Sequence, residues 1–230
     1  MSIARLIQRI ENGRTDLVLE LLADSEAARL LLAHGESLLR WSAYFGDVSA
    51  CRALVRAGLS PTLLGGDLGL NGAAFHGHWQ LCEFLLENGA SARSVQSDTG
   101  ETPLHSALTN EDRLRYDLVM KVLLRAGADP NAVTTPGVPT GAFMRDAKTR
   151  GESPLHRAAL FGSPATVTLL LEAGANLEAQ DAFGETPLGW ASWARRPVDV
   201  LRVLLYGEHR IHPSHKPLRA NLLGDPDGAA

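Results

Sequence analysis

The side chains with the widest chemical reach in this 230-residue chain are its eight histidines and two cysteines. An imidazole titrates near neutral pH and can serve as a general base or a metal ligand. His209, His212 and His215 recur at every third residue, a spacing that would suit zinc if one element aimed all three at a point. Pro213 and Pro217 interrupt any helix there, so no zinc site is expected. Cys51 and Cys82 stand outside any CxxC pair and read as reduced thiols with neither a disulfide nor a metal role. No Walker, dinucleotide-binding, G-x-S-x-G or HExxH pattern occurs in the strand and helix context it would need. No cofactor and no metal are expected. Whether the chain is an enzyme stays open at this level, with the balance toward a non-enzyme.

The elements that must position any site repeat along the chain. In Gly151–Gln180, Ser153 can cap a helix that starts at Pro154, where a missing N–H costs nothing, and Leu155, Ala158 and Ala159 share one face. Gly162 ends that helix, as a residue tolerant of positive φ. Ser163 and Pro164 open a second helix with an apolar stripe of Val167, Leu170 and Leu171, closed by Gly174. Two helices this short cannot bury both faces alone, so the hairpin needs copies to stack on. Gly184–Gly207 repeats it at the same spacing, Gly100–Gly127 begins GETPLHSAL and ends VLLRAG, and Gly35–Gly58 and Asn71–Ala90 follow more loosely.

These segments resemble the ankyrin repeat, whose pattern is G-x-T-P-L-H-x-A-A-x-x-G followed by V-x-x-L-L-x-x-G-A. The resemblance covers roughly Arg5 to Gly207 and implies an all-α ankyrin-repeat solenoid of about six helix-hairpin repeats joined by β-hairpin-like junction loops. A single domain over 1–215 is expected: a capping repeat over 1–34, repeats at about 35–66, 67–98, 99–150, 151–182 and 183–215, and a flexible tail over 216–230. The capping repeat places Ile3, Leu6, Ile7 and Ile10 on one side of its first helix. Repeat two has Leu38 and Arg40 where the family has proline and histidine. Repeat three lacks the Thr-Pro start, and repeat four is stretched near Asn110 to Tyr116. A long insertion follows over 131–150, rich in proline, glycine and threonine; Val133–Gly141 reads as a loop and Ala142–Lys148 as a helical turn. Insertions of this length are usually functional or disordered. In this family it would overhang the concave groove, bringing Phe143, Met144, Arg145 and Asp146 with it. Deleting Val133–Arg150 is expected to leave the stacked core folded, because each repeat depends mainly on its neighbours.

The resemblance also implies which residues line the groove. The two residues before each mid-repeat glycine are Tyr44 and Phe45, Phe75 and His76, Thr109 and Asn110, Leu160 and Phe161, and Trp193 and Ala194; Trp41 and Trp190 lie one helical turn earlier. This makes an aromatic stripe, in a chain that is only 6% aromatic. The rings could form a binding surface, or they could fill gaps between helices and junction loops. His105 and His156 are implied to tie adjacent repeats together, and His78 to be structural as well, whereas His76 would face the groove. The junction tips should present Asp98, Glu101, Glu152, Asp181 and Glu185 to solvent, suiting a partner with basic and apolar groups, while Arg145, Lys148 and Arg150 could meet an anion.

The reading that follows is a non-enzymatic module. It would bind a partner protein or peptide through Trp41, Tyr44, Phe45, Phe75, His76, Asn110, Phe143, Arg145, Phe161, Trp190 and Trp193. The alternative is an ankyrin-fold enzyme or binder acting on a small molecule in a pocket closed by the 131–150 loop, with His76, Asn110, Asp146 and Arg157 as its polar groups. Net charge is −4, which does not suggest nucleic acid. No run approaches the ~18 apolar residues of a membrane span, and the first residues have no signal-peptide core. A cytoplasmic monomer with no membrane association is expected.

Overall fold

The computed structural model describes residues 3–23, 28–29, 35–109, 113–140 and 147–206. The expected flexible tail, the histidine triplet and the insertion residues 141–146 lie outside them, as does most of the turn after the capping repeat. Along the described chain, helices come in pairs: α1 (Ile3–Glu11) and α2 (Leu17–Leu22), α3 (Gly35–Tyr44) and α4 (Val48–Arg56), α5 (Leu70–Phe75) and α6 (Trp79–Glu87), α7 (Pro103–Ala107) and α8 (Arg113–Arg125), α9 (Pro154–Phe161) and α10 (Pro164–Glu172), α11 (Pro187–Trp193) and α12 (Val198–Tyr206). The first helix of each pair packs on the first helix of the next, and the second on the second, giving two layers of parallel rows. No helix among the described residues is long and apolar enough to cross a membrane.

The start signals read from the sequence carry the local geometry. Thr102, Ser153 and Thr186 are extended N-cap residues, each followed by proline at the first helical position. The apolar stripes then meet between the layers: Leu155, Ala158, Ala159, Val167 and Leu170 are all fully buried. Cys51 and Cys82 are buried and unbridged, and burial pushes both thiols up to about 12, far from a reactive thiolate.

Gly162 departs from expectation. Its φ of −71° and ψ of 159° are extended, not left-handed. Glycine is needed there because a Cβ would stand 2.4 Å from the carbonyl oxygen of Ala158. Ser163 begins the next helix at once, so one residue serves both a stop and a start.

Adjacent repeats are tied by side chains aimed at backbone. His105 donates from Nε2 to the carbonyl of Glu152 at 3.1 Å, while its Nδ1 accepts from the Thr102 N–H at 3.2 Å. His156 does the same with Glu185 and Ser153, at 3.0 and 3.1 Å. His78 reaches backward, donating to the Tyr44 carbonyl at 3.0 Å. The degenerate third repeat solves the same problem with other residues. Asp67 accepts from the N–H groups of Gly69 and Asn71, and Asn71, standing where a histidine would, accepts from Ser106 at 3.3 Å. In the stretched fourth repeat, Tyr116 donates its hydroxyl to the Phe75 carbonyl at 2.8 Å.

Candidate functional site

Two regions gather the residues that sequence reasoning marked. The first lies at the ends of α3 and α5. Trp41 and Phe45 stack at 6.0 Å, Tyr44 meets both edge-on at 5.7 and 5.1 Å, and the His76 ring stands edge-on to Tyr44 at 4.9 Å and to Phe75 at 5.1 Å. These rings come from two consecutive repeats because each precedes the mid-repeat glycine, Gly46 or Gly77, whose left-handed φ turns the chain into the outer helix. Tyr44 is 52% exposed and Phe45 and Phe75 are also open to solvent, whereas Trp41 and His76 are half-buried. His78 stacks on His76 at 5.7 Å. Burial lowers the pKa of both, and the charge of the neighbouring ring lowers that of His76 further, so His76 is held neutral at physiological pH.

The second region is the insertion. Its described ends pair: Thr140 donates to the Ala147 carbonyl at 3.0 Å, Thr149 to Val138 at 2.9 Å and Gly137 to Thr149 at 2.7 Å, around an antiparallel bridge between Pro139 and Lys148, while most of the helical turn expected over 142–148 lies outside the described residues. The stalk stands beside α11, and between them opens a cleft of about 570 Å³ walled by Ala147, Leu160, Trp190, Trp193 and Ala194. Trp193 is 80% exposed at its mouth. Trp190 is buried, with its indole N–H on Asp181 at 3.1 Å, and offers the cleft only part of its ring. Arg150 pairs with Asp181 at 2.9 Å and lies over the Phe183 ring at 4.2 Å. Burial would raise the pKa of Asp181, but hydrogen bonds from Arg150, from the N–H groups of Glu185 and Phe183 and from Trp190 outweigh it and hold it down.

Below the stalk lies a polar network that sequence reasoning missed. Arg157, read as a groove-facing polar group, has no exposed surface; its Nη2 is 2.6 Å from Glu101 and 2.6 Å from Glu152, and its Nη1 donates to the His105 carbonyl at 3.1 Å. Its donors are spent inside the protein, so it does not face a ligand. Glu101, Glu152 and Asp181, expected at solvent-facing tips, are likewise buried. The insertion supplies the remaining donors: Thr140 to Glu101 at 2.8 Å, Thr134 to Glu152 at 2.7 Å and the Arg150 N–H to Glu152 at 2.6 Å. Burial alone would raise the Glu152 carboxyl, but the Arg157 charge, Thr134 and the other hydrogen bonds outweigh it and bring it to about 2. The available signal was an arginine following the repeat histidine, in phase with two glutamates at the start of consecutive repeats.

Removing the whole insertion would therefore strip donors from two buried carboxylates, and the expectation that the core tolerates the deletion is revised. Replacing Thr134 by valine, which keeps shape and deletes both the donor to Glu152 and the acceptor of the Gly151 N–H, is expected to cost about 1–3 kcal/mol, read as a lower urea midpoint at an unchanged slope. An unchanged midpoint would mean that water satisfies Glu152 in its place.

The structure thus brings Trp41, Tyr44, Phe45, Phe75 and His76 together in one patch and places Trp190 and Trp193 at the cleft, while Phe161 is half-buried at the end of α9. Asn110, Phe143, Arg145 and Asp146 lie outside the described residues. Among the described residues, no group of three or more histidine, cysteine, aspartate or glutamate side chains could hold a metal ion.

Comparison with known proteins places this arrangement among relatives. Residues 137–216 match the model for ankyrin repeats (3 copies) and residues 73–119 the model for ankyrin repeats (many copies). Human Rabankyrin-5 is 47% identical over 66 residues, which is 29% of this chain and 6% of that protein. Bovine ankyrin repeat and SOCS box protein 3 is 30% identical over 168 residues, 62% of this chain and 31% of that protein. A zebrafish (Danio rerio) protein named putative palmitoyltransferase ZDHHC13 is 28% identical over 175 residues, 75% of this chain and 24% of that protein. The matched part is less than a third of each of these relatives.

Proposed function

Because the chain belongs to the ankyrin-repeat family, whose repeats typically bind protein partners, we propose that it is a non-enzymatic module that binds a partner protein or peptide across its concave face. The observation that carries this reading is the aromatic cluster of Trp41, Tyr44, Phe45, Phe75 and His76, in which Tyr44, Phe45 and Phe75 are exposed and Trp41 and His76 half-buried, with Trp193 standing open farther along the array. Aromatic rings bury large area at small entropic cost and dominate affinity where a partner excludes water. An apolar surface kept in solvent on two consecutive repeats costs solubility unless something covers it.

The test is a lysate pull-down with wild-type protein beside a Tyr44→Ala, Phe75→Ala, Trp193→Ala variant, both shown to be folded by circular dichroism. A partner is expected to be retained by the wild type and lost from the variant, since each anchor of this kind is worth about 2 kcal/mol or more. Equal retention by both baits would remove the aromatic surface from the reading. A second reading rests on the cleft beside the insertion: its apolar walls and its volume of about 570 Å³ suit a small molecule. Stabilisation of the wild type by a small ligand, with loss of that effect on Trp193→Ala and no protein retained, would favour it.

A further inference from the structure

Three repeats carry a glutamate two residues before the proline that opens the inner helix: Glu101, Glu152 and Glu185. The first two share the buried guanidinium of Arg157. When Pro154 and Pro187 are superposed in register, the position of Arg157 falls on Trp190, which sends its indole N–H to Asp181 instead. Glu185 therefore lacks the cation that its counterparts have, and among the described residues no side chain pairs with its carboxylate. It is half-buried on the wall of the cleft that Trp193 also lines.

Charge points the same way. Four carboxylates line or underlie the cleft, Glu101, Glu152, Asp181 and Glu185, against three cations, Lys148, Arg150 and Arg157. Two of those cations are already held by carboxylates, and Lys148 sits on the opposite wall, in the insertion stalk. The Trp193 ring adds a π face that attracts cations, and a guanidinium matches both ring and carboxylate by its planar fork.

We infer that the cleft takes an arginine or lysine side chain of a partner polypeptide, its stem packed on Trp193 and its cation paired with Glu185, as Arg157 pairs with Glu101 and Glu152 one repeat earlier. This rests on the reading of the concave face as a polypeptide-binding surface. Arginine is favoured over lysine, because only the guanidinium can stack and pair at once.

The experiment titrates blocked tripeptides, N-acetyl-Gly-Xaa-Gly-amide with Xaa as arginine, lysine, norleucine or glutamate, into the full chain and follows the Trp193 indole N–H resonance by NMR. Arginine and lysine peptides are expected to shift it in a saturable way, arginine at the lower concentration, and norleucine and glutamate peptides are not. Glu185→Gln, nearly isosteric and half-exposed, should weaken arginine binding about tenfold. Equal binding of norleucine and arginine, a preference for glutamate, or indifference to Glu185→Gln would each overturn the inference. So would a gain in affinity for the arginine peptide when residues 207–230 are removed, since the basic stretch containing Arg210, Lys216 and Arg219 would then be the occupant. The two readings fail separately: a partner lost from the aromatic variant but retained by Glu185→Gln sinks only this inference, and a partner retained by both sinks the proposed surface.

Discussion

Replacing Arg157 by alanine is expected to lower the stability of the array by about 3–5 kcal/mol, among the largest effects of any single substitution in it. The guanidinium has no exposed surface and faces two carboxylates at 2.6 Å. Its removal leaves Glu101 and Glu152 buried with two negative charges and only hydroxyl and N–H donors to hold them. The Glu152 carboxyl, now brought to about 2, would rise once its largest favourable partner is gone. Arg157→Lys should fall between wild type and alanine, because one ammonium cannot serve both carboxylates and the His105 carbonyl with the same geometry. Adding Glu101→Gln and Glu152→Gln to the alanine variant should recover part of the loss by removing the stranded charges. Urea denaturation of the four proteins measures this, and a loss under about 1 kcal/mol for Arg157→Ala would show that water reaches the site.

The second large effect is a loss of stability in mild acid. All four described histidines, His76, His78, His105 and His156, have pKa values lowered first of all by burial, His105 to about 3. For His105 and His156 the geometry supplies a further reason: Nε2 already donates to a carbonyl, so a proton added at Nδ1 would point at the N–H of Thr102 or Ser153. A group whose folded pKa lies below its unfolded one takes up a proton on unfolding. Its contribution is complete above the unfolded value near 6.5 and is lost as pH falls toward the folded value. His105 alone should therefore cost about 2 kcal/mol between pH 7 and pH 5, and Glu152 adds a loss of the same sign from about pH 4.5 downward. Urea midpoints should fall steadily across that range, and His105→Gln, though less stable at pH 7, should show a shallower slope. A midpoint that does not move between pH 7 and pH 5 would refute the claim.

The paired helices were legible in the sequence because each rests on short-range signals. Ser153-Pro154 and Ser163-Pro164 place two helix starts, and Leu155, Ala158, Val167 and Leu170 mark the faces that stack. The histidine ties were legible only through the family pattern, and the aromatic patch followed from its position before Gly46 and Gly77. The fate of the carboxylates was not legible. Glu101 and Glu152 look like tip residues until Arg157 is brought to both, and residues some fifty positions apart meet only when the repeats are stacked. Val138 to Thr140 and Ala147 to Thr149 share no helical or strand signature strong enough to announce their pairing. Gly162 carried the right residue for a helix end but for a different reason, since crowding against Ala158, not a left-handed turn, requires it.

The base of the insertion touches more than its own repeat. Thr135 donates to the Thr99 carbonyl at 2.8 Å, Thr134 to Glu152 at 3.1 Å, and Ala182 of the following junction to Arg150 at 2.8 Å. A stack of repeats joined only to nearest neighbours behaves as a spring, in which small rotations at each junction accumulate and vary the curvature of the inner face. A strap fastened at three successive junctions acts as a splint on that spring. Curvature over repeats four to six is expected to be held by it. A partner lying along that strapped part would meet a surface already ordered, so less of the entropy of association would have to be lost there.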